Sequence, residues 1–406
     1  MKNTLHFKGL VRSVLFGAAV TTAACTFSSC DQDSAEALSP QQEIDAVSEN
    51  GAIIAGKYIV VFNQDETLRT DAGATYEQRV EAVRKTGQSI LEANGVQDAK
   101  IEQAFGKAIS GIAAELSDAA VASLRKDPRV AYIEPDRVVV LAKPGSGGGG
   151  SAAQETPWGI TRIGGATSGA GKTAWVIDSG VDLDHPDLNV DAARSFTAFT
   201  KGKDATPDDN NGHGTHVAGT IAALNNSIGV VGVAHGATVV AVKVLDSRGS
   251  GAYSGVIAGV DYVAAKGKTG DVANMSLGGP VSQALDDAVR AAANKGIKFA
   301  LAAGNEGTDA NNSSPARVNG ANIYTVSAMD INDRFASFSN YGNPPVDYAA
   351  PGVNIKSTWK GGAYNTISGT SMASPHVAGL LLLGNVSTSG TVKNDPDGNA
   401  DPIAHK

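Results

Sequence analysis

Three stretches of this chain carry the residue types needed to attack a carbonyl carbon. Ser371 lies in SGTSMASPHVAG (Ser368 to Gly379), a small-residue turn running into Met372 to Leu383, which reads as a buried helix. A helix start presents backbone N–H groups and the positive end of the dipole, which suits an oxygen gaining negative charge. A serine hydroxyl is a weak nucleophile by itself, so it needs a base, and the base needs a carboxylate to orient it. Asp178 closes TAWVIDSG (Thr173 to Gly180), an apolar and β-branched run that reads as a buried parallel strand with a carboxylate at its C-terminal edge. His213 stands between two glycines in NGHGTHVAGT (Asn211 to Thr220), where missing side chains allow close approach of backbone and imidazole.

Residues so far apart in sequence meet only on a suitable scaffold. From Thr173 onward, strand-like runs alternate with helical stretches: TAWVID, the His213 helix, ATVVAVKVL, Tyr253 to Lys266, DVANMSL, Ser282 to Lys295, IKFALAAG and IYTVSAM. This predicts an α/β domain whose parallel sheet is covered on both faces. Its ligand site then lies at the carboxyl ends of the strands, where Asp178 and Asn305 fall. Upstream, GKYIVVF, a helix over Thr75 to Asn94, strands at Ile101 to Phe105 and GIAAELS, a helix over Asp118 to Arg125 and the strand VAYIEPDRVVV (Val130 to Val140) predict a small α+β, ferredoxin-like module.

At 406 residues and 42% apolar content, the chain is long enough for two folded units. A formal net charge of −8 argues against a nucleic-acid partner. Both cysteines, Cys25 and Cys30, fall within the first thirty residues, so no disulfide is expected beyond them. Lys2, Lys8 and Arg12 followed by the short apolar run Val14 to Ala24 have the pattern of an export signal, expected over residues 1–30. The FSSC segment ending at Cys30 is similar to a bacterial lipoprotein processing site, with cleavage after Ala24 as the alternative. A lipid on Cys30 would be the one membrane link. Residues 31–55 read as a polar, alanine-rich tether, and KPGSGGGGSAA at 143–153 as a flexible linker.

The blocks WVIDSGVD, NGHGTHVAGT and GTSMASPHVAG, in that order, resemble the three signature motifs of the subtilases, across about Gln154 to Gly384. The resemblance implies a subtilisin-like three-layer catalytic domain (154–385) and an exported serine endopeptidase, secreted or held at the cell envelope of a bacterium. The order Asp, His, Ser is that of subtilisin, and the roles of Asp178, His213 and Ser371 are carried over from it. Asn305, in ALAAGNEG, matches the family's oxyanion-hole asparagine. The upstream module (56–142) resembles the subtilase propeptide in YIVVF, GIAAELS and VAYIEPDRVV, which implies an intramolecular chaperone whose tail lies in the cleft as a product-like inhibitor. Cleavage is expected in the linker, with the mature chain starting between Pro144 and Gln154. A monomer acting on protein and peptide substrates is expected.

The same resemblance suggests subsites. Gly249, Gly251, Ser276 and Gly278 would flank an extended peptide, Tyr253, Val256 and Leu277 would form an apolar pocket, and Ala302, Gly304 and Gly278 would wall a roomy, mostly apolar main pocket. Gln154, Asp187, Leu224, Asn226, Ile228 and Val230 resemble a structural calcium site of side-chain and main-chain oxygens, with Asp182, Asp184, Asp208 and Asp209 as weaker candidates. Residues 386–406 show no apolar periodicity and read as a solvated tail, in which DPDGNAD resembles part of a calcium loop. His216 and His376 read as packing histidines. A catalytically silent, surface-anchored peptide-binding protein is the alternative from another functional class.

Overall fold

The computed structural model describes residues 49–63, 73–97, 99–141, 153–384 and 386–406. The expected export signal, most of the tether and all of the linker except Ala153 lie outside them.

The first module runs β1 (Ile53–Phe62), α1 (Tyr76–Ala93), β2 (Ile101–Phe105), β3 (Gly111–Glu115), α2 (Asp118–Leu124) and β4 (Val130–Val140). Its strands are antiparallel in the order β4-β1-β3-β2, as a ferredoxin-like module requires. A reciprocal capping box starts α1: Gln78 N donates to Thr75 Oγ1 at 3.2 Å, and Thr75 N donates to the Gln78 side chain at 2.8 Å. The helix lays Val83, Ile90 and Leu91 on Val60, Phe62 and Ile112 of the sheet. Strand β1 begins inside the expected tether. Ile54 is buried beside Val138, an anchor that the polar composition around it concealed.

The second domain contains β5 (Thr173–Asp178), α3 (His213–Ala222), β6 (Thr238–Lys243), β7 (Ser250–Ala252), α4 (Tyr253–Lys266), β8 (Val272–Met275), α5 (Gln283–Ala293), β9 (Lys298–Ala302), β10 (Ile323–Met329) and β11 (Val346–Pro351). A hairpin of β12 (Ile355–Trp359) and β13 (Ala363–Ile367) then leads into α6 (Thr370–Leu383), followed by β14 (Ser387–Thr391) and β15 (Pro402–His405). Nine strands form the central sheet in the order β14-β15-β11-β10-β9-β8-β5-β6, with Phe196–Thr197 at the far edge. All neighbours are parallel except β14 with β15. Successive side chains alternate faces, so Trp175 and Ile177 pack with Val256 of α4 and Val289 of α5, while Ala174 and Val176 pack with Val217 of α3 and Val377 of α6. Helices on both faces of one sheet give the three layers.

The C-terminal segment corrects the expected solvated tail. β15 extends the sheet, pairing Ile403 with Ala349 of β11, and Val392, Ile403 and Ala404 are buried. Asp401 is 1% exposed and accepts a hydrogen bond from Ser327 Oγ at 2.5 Å. A four-residue strand with two adjacent buried apolar residues, one on each face, is too short to show a period.

Candidate active site

Strand β5 carries Asp178 into the interior at its C-terminal end, and α3 begins with His213. The His213 Nδ1 lies 2.8 Å from Asp178 Oδ1 and 3.0 Å from Oδ2. That contact fixes the proton on Nδ1 and leaves Nε2 as the acceptor. Burial alone would lower the His213 pKa, but the charge and hydrogen bond of Asp178 outweigh it, aided by the Asp209 charge, and raise it above the usual imidazole value. Gly214 has to be glycine: a β-carbon there would collide with the Gly180 carbonyl oxygen.

Asp209 organises this corner. Its Oδ1 accepts from Ser179 Oγ (2.9 Å), Asn211 N (2.9 Å) and Gly212 N (2.8 Å), and its Oδ2 accepts from Thr215 N (2.9 Å) and Thr215 Oγ1 (2.6 Å). Both oxygens are thus occupied by protein donors, from Ser179 after β5, the loop that enters α3 and the first turn of α3. The sequence offered Asp209 only as a weak metal candidate, because its partners come from two separate motifs.

Ser371 is the second residue of α6 and is 8% exposed. Pro375 lies one turn further on and has no N–H to give to the Ser371 carbonyl. Ser276 Oγ supplies that bond at 2.8 Å and is itself held by Asn274 Nδ2 at 2.9 Å. The end of β8 is thereby pinned to the turn that carries the serine. The Ser371 hydroxyl donates to the Ser276 carbonyl at 3.2 Å, and among the described residues no hydrogen bond joins it to His213. Helices α3 and α6 pack together through Val217, Ile221, Met372 and Val377 in the core, so the two chain starts bearing His213 and Ser371 share one layer. The Asn305 Oδ1 accepts from Thr370 N at 2.9 Å and Thr370 Oγ1 at 3.0 Å. Its carbonyl end is therefore tied to the helix start, which leaves the Nδ2 donor for the cleft.

Ser371 and Asn305 open onto a cleft of about 580 Å³ that is also lined by Ser276, Leu277, Gly278, Ala302 and Gly304. Glu306 and Thr308 add polar groups to a wall that is otherwise largely apolar. The Glu306 carboxylate accepts from Asn305 N at 2.9 Å and Asn340 Nδ2 at 2.8 Å, partners that sequence spacing does not reveal.

The end of β4 lies in the same cleft. Val138, Val139 and Val140 pair antiparallel with Ala252, Gly251 and Ser250 of β7, and Leu141 N donates to Gly249 O at 2.9 Å. Val139 is buried in one cluster with Tyr253, Val256 and Leu277. Two carboxylates of β4 reach helix starts: Glu134 accepts from Ser282 Oγ (2.5 Å) and Gln283 N (3.0 Å) at α5, and Asp136 accepts from Ser254 N (3.1 Å) at α4. Negative charge is favoured there by the orphan N–H groups and the dipole. In return Asp261 of α4 accepts the amides of Gly106, Lys107 and Ala108 at 2.9, 2.7 and 2.5 Å. Burial raises the Glu134 and Asp261 pKa values above the ordinary carboxylate range and pushes Asp136 up to about 6.

The calcium candidates also gather. Gln154 Nε2 faces Leu224 O at 2.8 Å, Asn226 Oδ1 at 3.4 Å and Val230 O at 3.4 Å; Asp187 takes Asn226 Nδ2 at 2.7 Å and Val230 N at 3.1 Å; Ile228 N donates to Asn226 Oδ1 at 2.7 Å. His216 and His376 are buried and hold main-chain carbonyls, of Ile355 at 2.9 Å and of Met372 at 2.8 Å. Burial pushes their pKa values down to about 3 and about 4, so both are neutral packing groups.

Known proteins share this arrangement. The model of the subtilase family matches residues 169–385, and that of the peptidase inhibitor I9 family matches residues 57–142. The chain is 42% identical over 393 residues to alkaline serine exoprotease A of Vibrio alginolyticus, covering 91% of this chain and 70% of the relative. It is 42% identical over 337 residues to subtilisin E of Bacillus subtilis, covering 80% and 79%. A solved structure of a cold-adapted subtilisin-like serine proteinase aligns with a TM-score of 0.55 at 42% identity, over 61% of this chain and 97% of that one. These relatives give the silent peptide-binding alternative no support. The chain belongs to the subtilase family: it is a subtilisin-like serine endopeptidase that carries its own I9 inhibitor domain.

Proposed function

We propose that Ser371 is the nucleophile, His213 the general base and then acid, Asp178 its orienting carboxylate, and Asn305 with the Ser371 amide the oxyanion hole. The observation that carries this reading is the His213 Nδ1 held between both Asp178 oxygens at 2.8 and 3.0 Å. The Ser371 hydroxyl leaves the Ser276 carbonyl, turns toward His213 Nε2 and loses its proton to it as Oγ attacks the peptide carbonyl. The oxyanion receives the Asn305 Nδ2 and Ser371 N–H donors, the amine leaves with the proton from His213, and water then resolves the acyl-enzyme with His213 again as base. Gly249, Gly251 and Gly278 hold the substrate main chain, Tyr253 and Leu277 take a side chain upstream of the cut, and Ala302 and Gly304 wall the main pocket. The test is the pH profile of kcat/KM on a peptide anilide: activity falls as pH drops through the raised His213 pKa. A flat profile from acid to alkaline pH contradicts the assignment.

The enzyme cuts its own chain just after the tail held at Leu141, dividing an inhibitor domain at 56–142 from a catalytic domain at 154–385. The signal-like start of the chain, together with a relative named extracellular serine proteinase from Thermus sp. (strain Rt41A), supports export. Lipid attachment at Cys30 would keep the released propeptide at the cell envelope.

A calcium ion suits Gln154, Asp187, Leu224, Asn226, Ile228 and Val230. The Gln154 amide group has two hydrogens but faces three oxygens, one more acceptor than it can serve. Reversing the amide would add its own oxygen to that set, an all-oxygen environment of the kind calcium takes. Among the described residues no three His, Cys, Asp or Glu side chains gather as a metal site, so carbonyl oxygens would supply most of the ligands. The ion would tie the start of the catalytic domain to the loop at residues 224–230 and contribute stability rather than chemistry.

A further inference from the structure

An extended chain in the cleft has two edges to satisfy. The tail of the inhibitor domain meets β7 along one edge, through Val139 and Leu141. Its other edge, bearing the amides of Val138 and Val140, faces Gly278 across a gap. That gap is filled by the residues just before β1. Gly51 N donates to Val138 O at 2.8 Å and Val138 N donates to Ala52 O at 2.9 Å. Beyond them the Asn50 carboxamide spans the slot: its Oδ1 accepts from Val140 N at 3.0 Å, and its Nδ2 donates to Gly278 O at 3.1 Å. A primary amide offers one acceptor and one donor, as a peptide unit does, so Asn50 stands in for one unit of an intervening strand. Two further contacts seat this segment. Arg137 Nη1 donates to Gly51 O at 2.8 Å, and Gly51, at φ +86°, sits so close to Pro280 that a β-carbon would collide with its ring.

We propose that Glu49–Ala52 is a second inhibitory element, a strap that closes the Gly278 side of the substrate slot and holds the cleaved tail there through Asn50. Substrate has to displace the strap as well as the tail before it can pair with Gly278. Asn50 therefore sets how long the enzyme stays latent after cutting itself. This rests on the proteolytic reading above, and the test separates the two.

Full-length precursors carrying Asn50→Ala or Asn50→Asp are compared with wild type. The Asp variant keeps the acceptor for Val140 N but replaces the donor to Gly278 O with a repelled oxygen. After self-cleavage all three contain the same mature enzyme, so the lag before hydrolysis of a peptide anilide reports the inhibitor alone. The expected result is a lag about tenfold shorter in both variants, with the final rate and the unfolding midpoint of the corresponding Ser371→Ala precursors unchanged. A lag within twofold of wild type in both variants overturns the strap, as does a lag that shortens only in step with a lowered unfolding midpoint. Failure of wild type to cut itself or hydrolyse the anilide would instead count against the proteolytic reading.

Discussion

Asp136 is 3% exposed, and its Oδ1 takes the Ser254 amide in the first turn of α4. At pH 5, where burial keeps Asp136 largely protonated, Asp136→Ala removes a helix-start acceptor, worth about 1–2 kcal/mol. A loss of about 1–2 kcal/mol corresponds to about 5–30-fold faster release of the cleaved inhibitor. Asp136→Asn keeps an acceptor and removes the buried charge, so its complex should lose much of the difference in lifetime between pH 5 and pH 8. The pH dependence has a definite sign. Burial pushes Asp136 up to about 6 in the complex, whereas once exposed it returns to the ordinary carboxylate value of about 4. The complex therefore binds its proton more tightly: affinity is greatest below about pH 4, falls as pH rises toward about 6, and is lower by up to about a hundredfold above that. Gel filtration of the cleaved complex at pH 5 and pH 8 reads release without interference from the pH dependence of activity. Release from Asp136→Ala at the wild-type rate at both pH values would refute the capping argument, and an undiminished pH dependence in Asp136→Asn would refute the linkage.

Asn305→Ala should lower kcat by about a hundred- to a thousandfold with little change in KM, the range found for this donor in subtilisin itself; an unchanged kcat would remove Asn305 from the oxyanion hole. Chelation should lower the unfolding midpoint of the mature enzyme, and Asp187→Asn should lower it too while abolishing the chelator effect; equal sensitivity of both proteins would place the ion elsewhere. Asp401 is pushed up to about 6 by burial, so its carboxyl group favours the fold below about pH 4, and that advantage is lost as pH rises through about 6. Asp401→Asn should therefore raise the unfolding midpoint at pH 8 but not at pH 4, as thermal scans at the two values will show.

What the sequence reveals here depends on how local the cause is. Asp178, His213 and Ser371 each sit in a motif whose glycines and apolar neighbours are contiguous, and alternating apolar runs announce the parallel sheet. Asn305 required the resemblance, because an asparagine beside glycine is also an ordinary turn residue. Roles that depend on two distant segments stayed hidden. Ser276 matters because Pro375, 99 positions later, leaves the Ser371 carbonyl without a helical donor. Glu134 and Asp136 look like charges on an edge strand until α4 and α5 present their starts to them. β15 is short enough that its two buried residues, Ile403 and Ala404, pass for chance.

The central claim is that Ser371 cuts the chain that inhibits it. Intact mass and N-terminal sequencing of purified wild type and Ser371→Ala, both with calcium, test it most directly. The account predicts a mature chain in wild type, starting between residues 144 and 154, and an uncut precursor in the variant. Identical cleavage of both proteins, or a folded wild type that stays whole, would contradict it.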